Sequence, residues 1–143
     1  AKQLALAYIA LGGASSPAGF AAYHTWYSNQ QVVFHQTLLQ NKDTDLAIVT
    51  LIDSDLDITS QTDPEVRQRW YAIGLYLNYA PVYTPAQTWV SEMGRNKYLN
   101  SIYEALTASG QVALGIQWYN ENINFYSPTS KTMIQQILGI TQQ

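Results

Sequence analysis

The chain has 143 residues, enough for about one domain with a single real core, and its 47% hydrophobic and 12% charged residues belong to a folded globular protein. A formal net charge of −3 and a pI near 5.1 leave no basic face to neutralise a phosphate backbone or an anionic membrane surface, so nucleic acid and membrane are not expected partners. Cysteine is absent, which excludes disulfides, thiolate metal sites and cysteine nucleophiles together.

The first predicted element is the apolar segment "LALAYIALGG" from Leu4. It is about half the length that a membrane-spanning helix needs. Lys2 before it and the small residues after it give it a slight signal-peptide character, but an apolar first helix is the simpler reading. The start at Ala1, without a methionine, reads as a processed product or an excised piece.

His24 and His35 follow, with no HExxH around either and no GxSxG elbow in the chain, so neither a helical zinc site nor a hydrolase triad is expected. Both histidines are read as surface or packing residues. The run "DSDLD" at Asp53, Asp55 and Asp57 resembles the opening of a calcium loop, but the sixth and twelfth positions are Ile58 and Pro64 where glycine and a bidentate glutamate are needed. These carboxylates are expected to solvate a helix end. Seven of the ten acidic residues lie between Asp43 and Glu65, which predicts a negative stretch of surface.

From there on, apolar residues recur at helical spacing. Ile48, Val49, Ile52 and Leu56 form one stripe, and Val66, Trp70, Ile73 and Leu77 a second. Ala86, Trp89, Val90 and Met93 follow, then Leu99, Ile102, Tyr103 and Leu106. The last two stripes are Val112, Ile116, Tyr119 and Ile123, and Met133, Ile134, Ile137 and Leu138. No segment of useful length alternates with period two, so the fold is expected to be all-α. Asp63-Pro64, Thr84-Pro85 and Ser127-Pro128 each place a capping side chain before a proline at the first helical position. Glu65, three residues after Thr62, is placed to close a capping box. Gly94 and Gly110 read as helix stops.

The sum is seven or eight helices of roughly 10 to 17 residues with short connections, which favours antiparallel neighbours. Such a chain closes into a bundle or stacks as a right-handed α-α superhelix, and no sequence repeat chooses between them. Eleven tyrosines and four tryptophans raise the prospect of a carbohydrate- or peptide-binding platform. Trp70, Trp89 and Tyr119, however, sit on the apolar stripes, where core packing is expected. "WYNENINFY", residues 118 to 126, has aromatics on several helical faces, one of which is a candidate contact surface.

The cations are few, and Arg95 and Lys97 stand two apart after Gly94. Mid-helix, residues two apart point to different sides. If Gly94 ends a helix as a left-handed residue, the next three residues are free to be extended and both cations project together, just before a helix that starts near Tyr98. Two readings stand. The cations cap the carbonyls of the preceding helix, or they form a carboxylate clamp in which Arg offers a planar fork and Lys a movable charge.

The strings "DPEVRQRW" at 63 to 70, "EMGRNKYLNSIYEAL" at 92 to 106 and "YNENINFYSPTSKTMIQQIL" at 119 to 138, in this order, resemble the C-terminal helical domain of the leukotriene A4 hydrolase and aminopeptidase B family of zinc aminopeptidases. The likeness runs from about Tyr23 to Leu138 and is weak over residues 1–22, a first helix and linker. The arginine-x-lysine after glycine is its most specific motif. The chain departs from the family in having Ser127-Pro128 where His-Pro is often found before the last helix.

The resemblance implies a two-layered α-α superhelix, armadillo- or HEAT-like, of about seven to nine antiparallel helices, forming a single C-terminal domain over residues 1–143. It implies that Arg95 and Lys97 hold the free carboxylate of a short peptide substrate in the cleft. It also implies that zinc, its HExxH helix, the loop for the substrate amine and a catalytic tyrosine belong to a catalytic domain of the same polypeptide, absent from this chain. The chain itself is then expected to hold no catalytic residue, metal or cofactor, and to be cytoplasmic. The alternative is a stand-alone α-helical scaffold that recognises a protein partner.

Overall fold

The computed structural model describes residues 1–141. Among them are eight α-helices: α1 Lys2–Leu11, α2 Ser28–Gln40, α3 Leu46–Leu56, α4 Pro64–Tyr76, α5 Tyr83–Glu92, α6 Asn96–Ala108, α7 Val112–Glu121 and α8 Pro128–Leu138. Short 3-10 segments at Phe20–Thr25, Ile58–Ser60 and Ala80–Val82 join some of them. No strand occurs among the described residues, in agreement with the helical periodicity.

The helices sort into two layers by alternation. α2 packs on α4, α4 on α6 and α6 on α8, so the even-numbered helices form one continuous layer. The odd-numbered helices form the other, with α1 against α3 and α5 against α7. This is the two-layered superhelix and not a closed bundle. The central pair explains the choice. α4 buries Val66, Trp70, Tyr71, Ala72, Ile73 and Leu75, and α6 buries Tyr98, Leu99, Ile102, Tyr103, Ala105 and Leu106. Faces this wide cannot be covered by one neighbour, and each buried large side chain contributes roughly 1.5–3 kcal/mol relative to exposure. The two helices must therefore be flanked on both sides.

Close approach to the backbone also matters, most tightly at Gly74. A Cβ on Gly74 of α4 would lie 2.5 Å from Val82 Cγ2, so glycine lets the Ala80–Val82 turn press onto the helix.

Two of the three proline caps form. Asp63 accepts from the backbone N–H groups of Glu65 and Val66, and Ser127 from that of Ser130. Thr84 does not cap. α5 begins at Tyr83 because the turn Ala80–Val82 already holds helical dihedrals and runs directly into it, placing Pro85 in a first turn whose N–H groups lack intrahelical partners anyway. The Thr62–Glu65 capping box is also not formed. With Asp63 at the cap, the Glu65 side chain is one position too early and is spent elsewhere. Gly110, at φ 78°, ends α6 as expected, and the next N–H, of Gln111, returns to the Leu106 carbonyl at 2.7 Å.

The aromatic residues are mainly core: Trp70, Trp118, Tyr8, Tyr23, Tyr71, Tyr103 and Tyr119 are fully enclosed, whereas Tyr27, Tyr76 and Phe125 are exposed. Asp53 does more than solvate a helix end. It accepts from the Thr59 N–H at 2.9 Å, the Thr59 hydroxyl at 2.6 Å and the Tyr79 hydroxyl at 2.7 Å. Asp55 accepts from the Tyr8 hydroxyl at 2.9 Å, which ties α3 to α1.

Candidate functional site

α5 ends at Glu92, and its C-cap Met93 is extended, at φ −122° and ψ 124°. Arg95 is extended as well, at φ −76° and ψ 121°, and is the N-cap of α6. Gly94 is not among the residues of positive φ, so the left-handed stop expected there is not used. Extended backbone at Met93 and Arg95 turns the chain without it. The run from Arg95 to Lys97 is also not extended throughout. The Arg95 carbonyl accepts from the N–H groups of Tyr98 and Leu99, both at 3.1 Å, which starts the helix at Asn96 and puts Lys97 in its first turn.

The two cations nevertheless meet, on the Tyr98 ring. The Arg95 guanidinium carbon lies 5.1 Å from the ring centroid and Lys97 Nζ 5.7 Å. Arg95 Nη1 donates to the Tyr98 hydroxyl at 3.3 Å. That hydroxyl donates to Glu65 Oε2 at 2.6 Å, and Lys97 Nζ donates to Glu65 Oε1 at 2.6 Å. Arg69, one turn later on α4, approaches the same Oε1 to 3.6 Å. None of these bonds reaches a carbonyl of α5, so the cations do not cap the preceding helix.

Electrostatics sets the protonation states. Hydrogen bonds from Lys97 and Tyr98 hold the Glu65 carboxyl down at about 2, so it is ionised at neutral pH. Donation to that carboxylate raises the pKa of the Tyr98 hydroxyl, which stays protonated. Arg95 and Lys97 occupy the positive end of the α6 dipole, where by symmetry with a favourable anion each cation is disfavoured by about 0.3–1 kcal/mol. Glu65 offsets this for Lys97. Arg95 has no carboxylate within ion-pair distance among the described residues, so its fork stands at a helix N-terminus with only a phenol for a partner.

The surroundings hold this arrangement in place. Trp89 of α5 packs against Tyr98 with ring centroids 5.2 Å apart, and Arg67 lies over the Trp89 ring at 5.4 Å. From the other side, Asn96 accepts a hydrogen bond from the hydroxyl of Ser130, a buried residue of α8. Spacing singled out Glu65 only for a capping box, and it did not single out Tyr98, Asn96 or Ser130 as site residues. All four lie within the quoted strings, but nothing local pairs residues more than thirty positions apart.

The described residues do not fit a zinc site. Among the described residues no three His, Cys, Asp or Glu side chains are grouped to hold a metal. His35 is a packing residue: it is fully buried, its Nε2 lies 2.8 Å from the Tyr23 hydroxyl, and burial and then the Arg69 charge push its pKa down to about 3. His24 is exposed on the first 3-10 segment. No described helix is long and apolar enough to cross a membrane.

Comparison with known proteins adds identity to this geometry. A family model described as leukotriene A4 hydrolase, C-terminal, matches residues 26–138. Leucine aminopeptidase 2 of Yarrowia lipolytica is 25% identical over 134 residues, which are 87% of this chain and 21% of that protein. Leucine aminopeptidase 2 of Ajellomyces capsulatus is 27% identical over 112 residues, 78% of this chain and 18% of that protein. A leukotriene A-4 hydrolase homolog of Botryotinia fuckeliana is 25% identical over 115 residues, 79% of this chain and 18% of that protein. The chain thus spans about a fifth of the length of the curated relatives it matches. No solved structure gives a match.

Proposed function

The chain belongs to the leukotriene A4 hydrolase C-terminal family, and from that premise we propose that it lines the substrate cleft of a zinc aminopeptidase and binds the C-terminal carboxylate of short peptides through Arg95 and Lys97. In this reading residues 1–143 are one helical domain, and the zinc and the reacting groups lie in a catalytic domain of the same polypeptide. This chain performs no bond cleavage. Its contribution is to fix one end of the substrate, so that the scissile bond arrives in register with the zinc site.

The observation that supports the reading is the placement of Arg95. A guanidinium at the positive end of a helix weakens that helix, and the Tyr98 ring and hydroxyl that it meets give it no neutralising charge, since no described carboxylate lies within ion-pair distance. A ligand carboxylate at that position would supply the missing anion. It would be received by the planar fork of Arg95, with the Lys97 ammonium beside it and the α6 N-terminus behind.

The test uses the full-length enzyme and a tripeptide, supplied as the free acid and as the C-terminal amide. Arg95→Ala should lower kcat/KM for the free acid by about 30- to 1,000-fold, the range of a charge-assisted pair of roughly 2–4 kcal/mol, and leave the amide almost unchanged. Equal losses on the two substrates would reject the carboxylate clamp. In that event the exposed aromatics Tyr27, Tyr76 and Phe125 would make a scaffold for a protein partner the better account.

A further inference from the structure

The proposed clamp already holds one carboxylate, that of Glu65. Its Oε1 takes Lys97 Nζ at 2.6 Å, its Oε2 takes the Tyr98 hydroxyl at 2.6 Å, and Arg69 stands 3.6 Å from Oε1. The two cations of the motif are therefore unequal. Lys97 is paired inside the molecule, and Arg95 is not paired with any described carboxylate.

We propose that Glu65 determines specificity at this site by competing with the ligand's carboxylate for Lys97, so that Arg95 supplies most of the recognition and Lys97 only a screened share. The inference rests on the carboxylate-binding reading and deepens it.

The physical basis is the like charge. A carboxylate seated on Arg95 and reaching toward Lys97 approaches a second carboxylate on the far side of the same ammonium, and the two repel through a partly exposed, intermediate-dielectric region. Hydrogen bonds from Lys97 and the Tyr98 hydroxyl, and then the Arg69 charge, favour the ionised form of Glu65, so it does not escape the conflict by taking up a proton at neutral pH. The Glu65 backbone is anchored as well. Its N–H is tied to the Asp63 cap and its carbonyl accepts from Arg69 Nη1 at 2.9 Å. The consequence is a site that tolerates a single negative charge at the substrate end and is tuned to modest affinity, which suits release of the product carboxylate.

The test is a set of variants of the full-length enzyme on the same tripeptide acid and amide. Glu65→Gln keeps the shape and the oxygen facing Tyr98 while removing the charge. KM for the free acid should fall by about 3- to 10-fold with kcat unchanged, as expected for removal of a like charge near the surface, and KM for the amide should not move. In a Lys97→Ala background the gain should vanish, because no cation is left to compete for. Glu65→Asp, which keeps the charge, should show no gain.

A Glu65→Gln enzyme whose thermal midpoint is unchanged, but whose KM for the acid is unchanged or raised, would overturn the competition. A gain that survives in Lys97→Ala would overturn it too, by showing a general field effect. Failure of the underlying reading looks different: Arg95→Ala would then treat acid and amide alike, and both proposals would fall.

Discussion

Lys97 Nζ of α6 lies 2.6 Å from Glu65 Oε1 of α4, whereas Arg95, two residues before Lys97, has no described carboxylate within ion-pair distance. The fold therefore treats two adjacent cations differently, and the stability consequences can be separated from the binding ones. The Lys97 and Glu65 side chains are 46% and 31% exposed, so their pair belongs to the weak surface class. Lys97→Met should lower unfolding stability by about 0.2–1 kcal/mol in low salt, and urea titration in about 0.5 M NaCl should show a smaller difference.

His35 sets a pH dependence. Its folded pKa, about 3, lies below its ordinary value of 6.5, so between those values the unfolded chain binds a proton that the folded one refuses. Stability should rise with pH across this window, by up to about 1.4 kcal/mol per pH unit, and the contribution should be complete above 6.5. Glu65, held at about 2 from 4.5, adds a slope of the same sign only below 4.5. Urea unfolding of wild type and His35→Gln at pH 5, 6 and 7 therefore isolates the histidine, and the variant should show a much flatter profile.

Ser130 is fully buried on α8 and donates to Asn96, the first helical residue of α6. Ser130→Ala leaves the Asn96 oxygen without that partner and should cost about 1–3 kcal/mol of stability by chemical denaturation. Because Asn96 lies between Arg95 and Lys97, the same variant should raise KM for a free-acid tripeptide more than for its amide.

Gly74→Ala tests the closest backbone approach in the core. Helix propensity alone would favour alanine by about 1 kcal/mol. The added Cβ would sit 2.5 Å from Val82 Cγ2 and 2.8 Å from Cγ1, so the net effect should be a loss, seen as a lower Tm. Val82→Ala removes both clashing methyls. It should be less damaging in the Gly74→Ala background than in wild type.

The helices were readable because their signals are local. The stripes through Trp70 and Ile73 or Leu99 and Ile102 need only a few residues of context, and the Asp63 and Ser127 caps act within one turn. A local signal is overridden where it meets a tertiary demand. Gly94 permits a left-handed stop, but the chain enters α6 through extended Met93 and Arg95. Glu65 suits a capping box, but Lys97 and Tyr98 from another helix compete for its carboxylate more strongly than a backbone N–H one turn away.

Sequence by itself therefore determined the helical class, most helix ends, the unusual isolation of Arg95 and Lys97 among few cations, and, through the motif strings, the family. Periodicity left open whether the helices close or stack, which the family resemblance alone implied, and the sequence left open which side chains accompany the two cations. Tertiary structure decided both, because layer order and the Glu65–Lys97–Tyr98 linkage depend on contacts between α4 and α6, residues more than thirty positions apart. Helical periodicity states which face of a helix is buried; only packing states what that face meets.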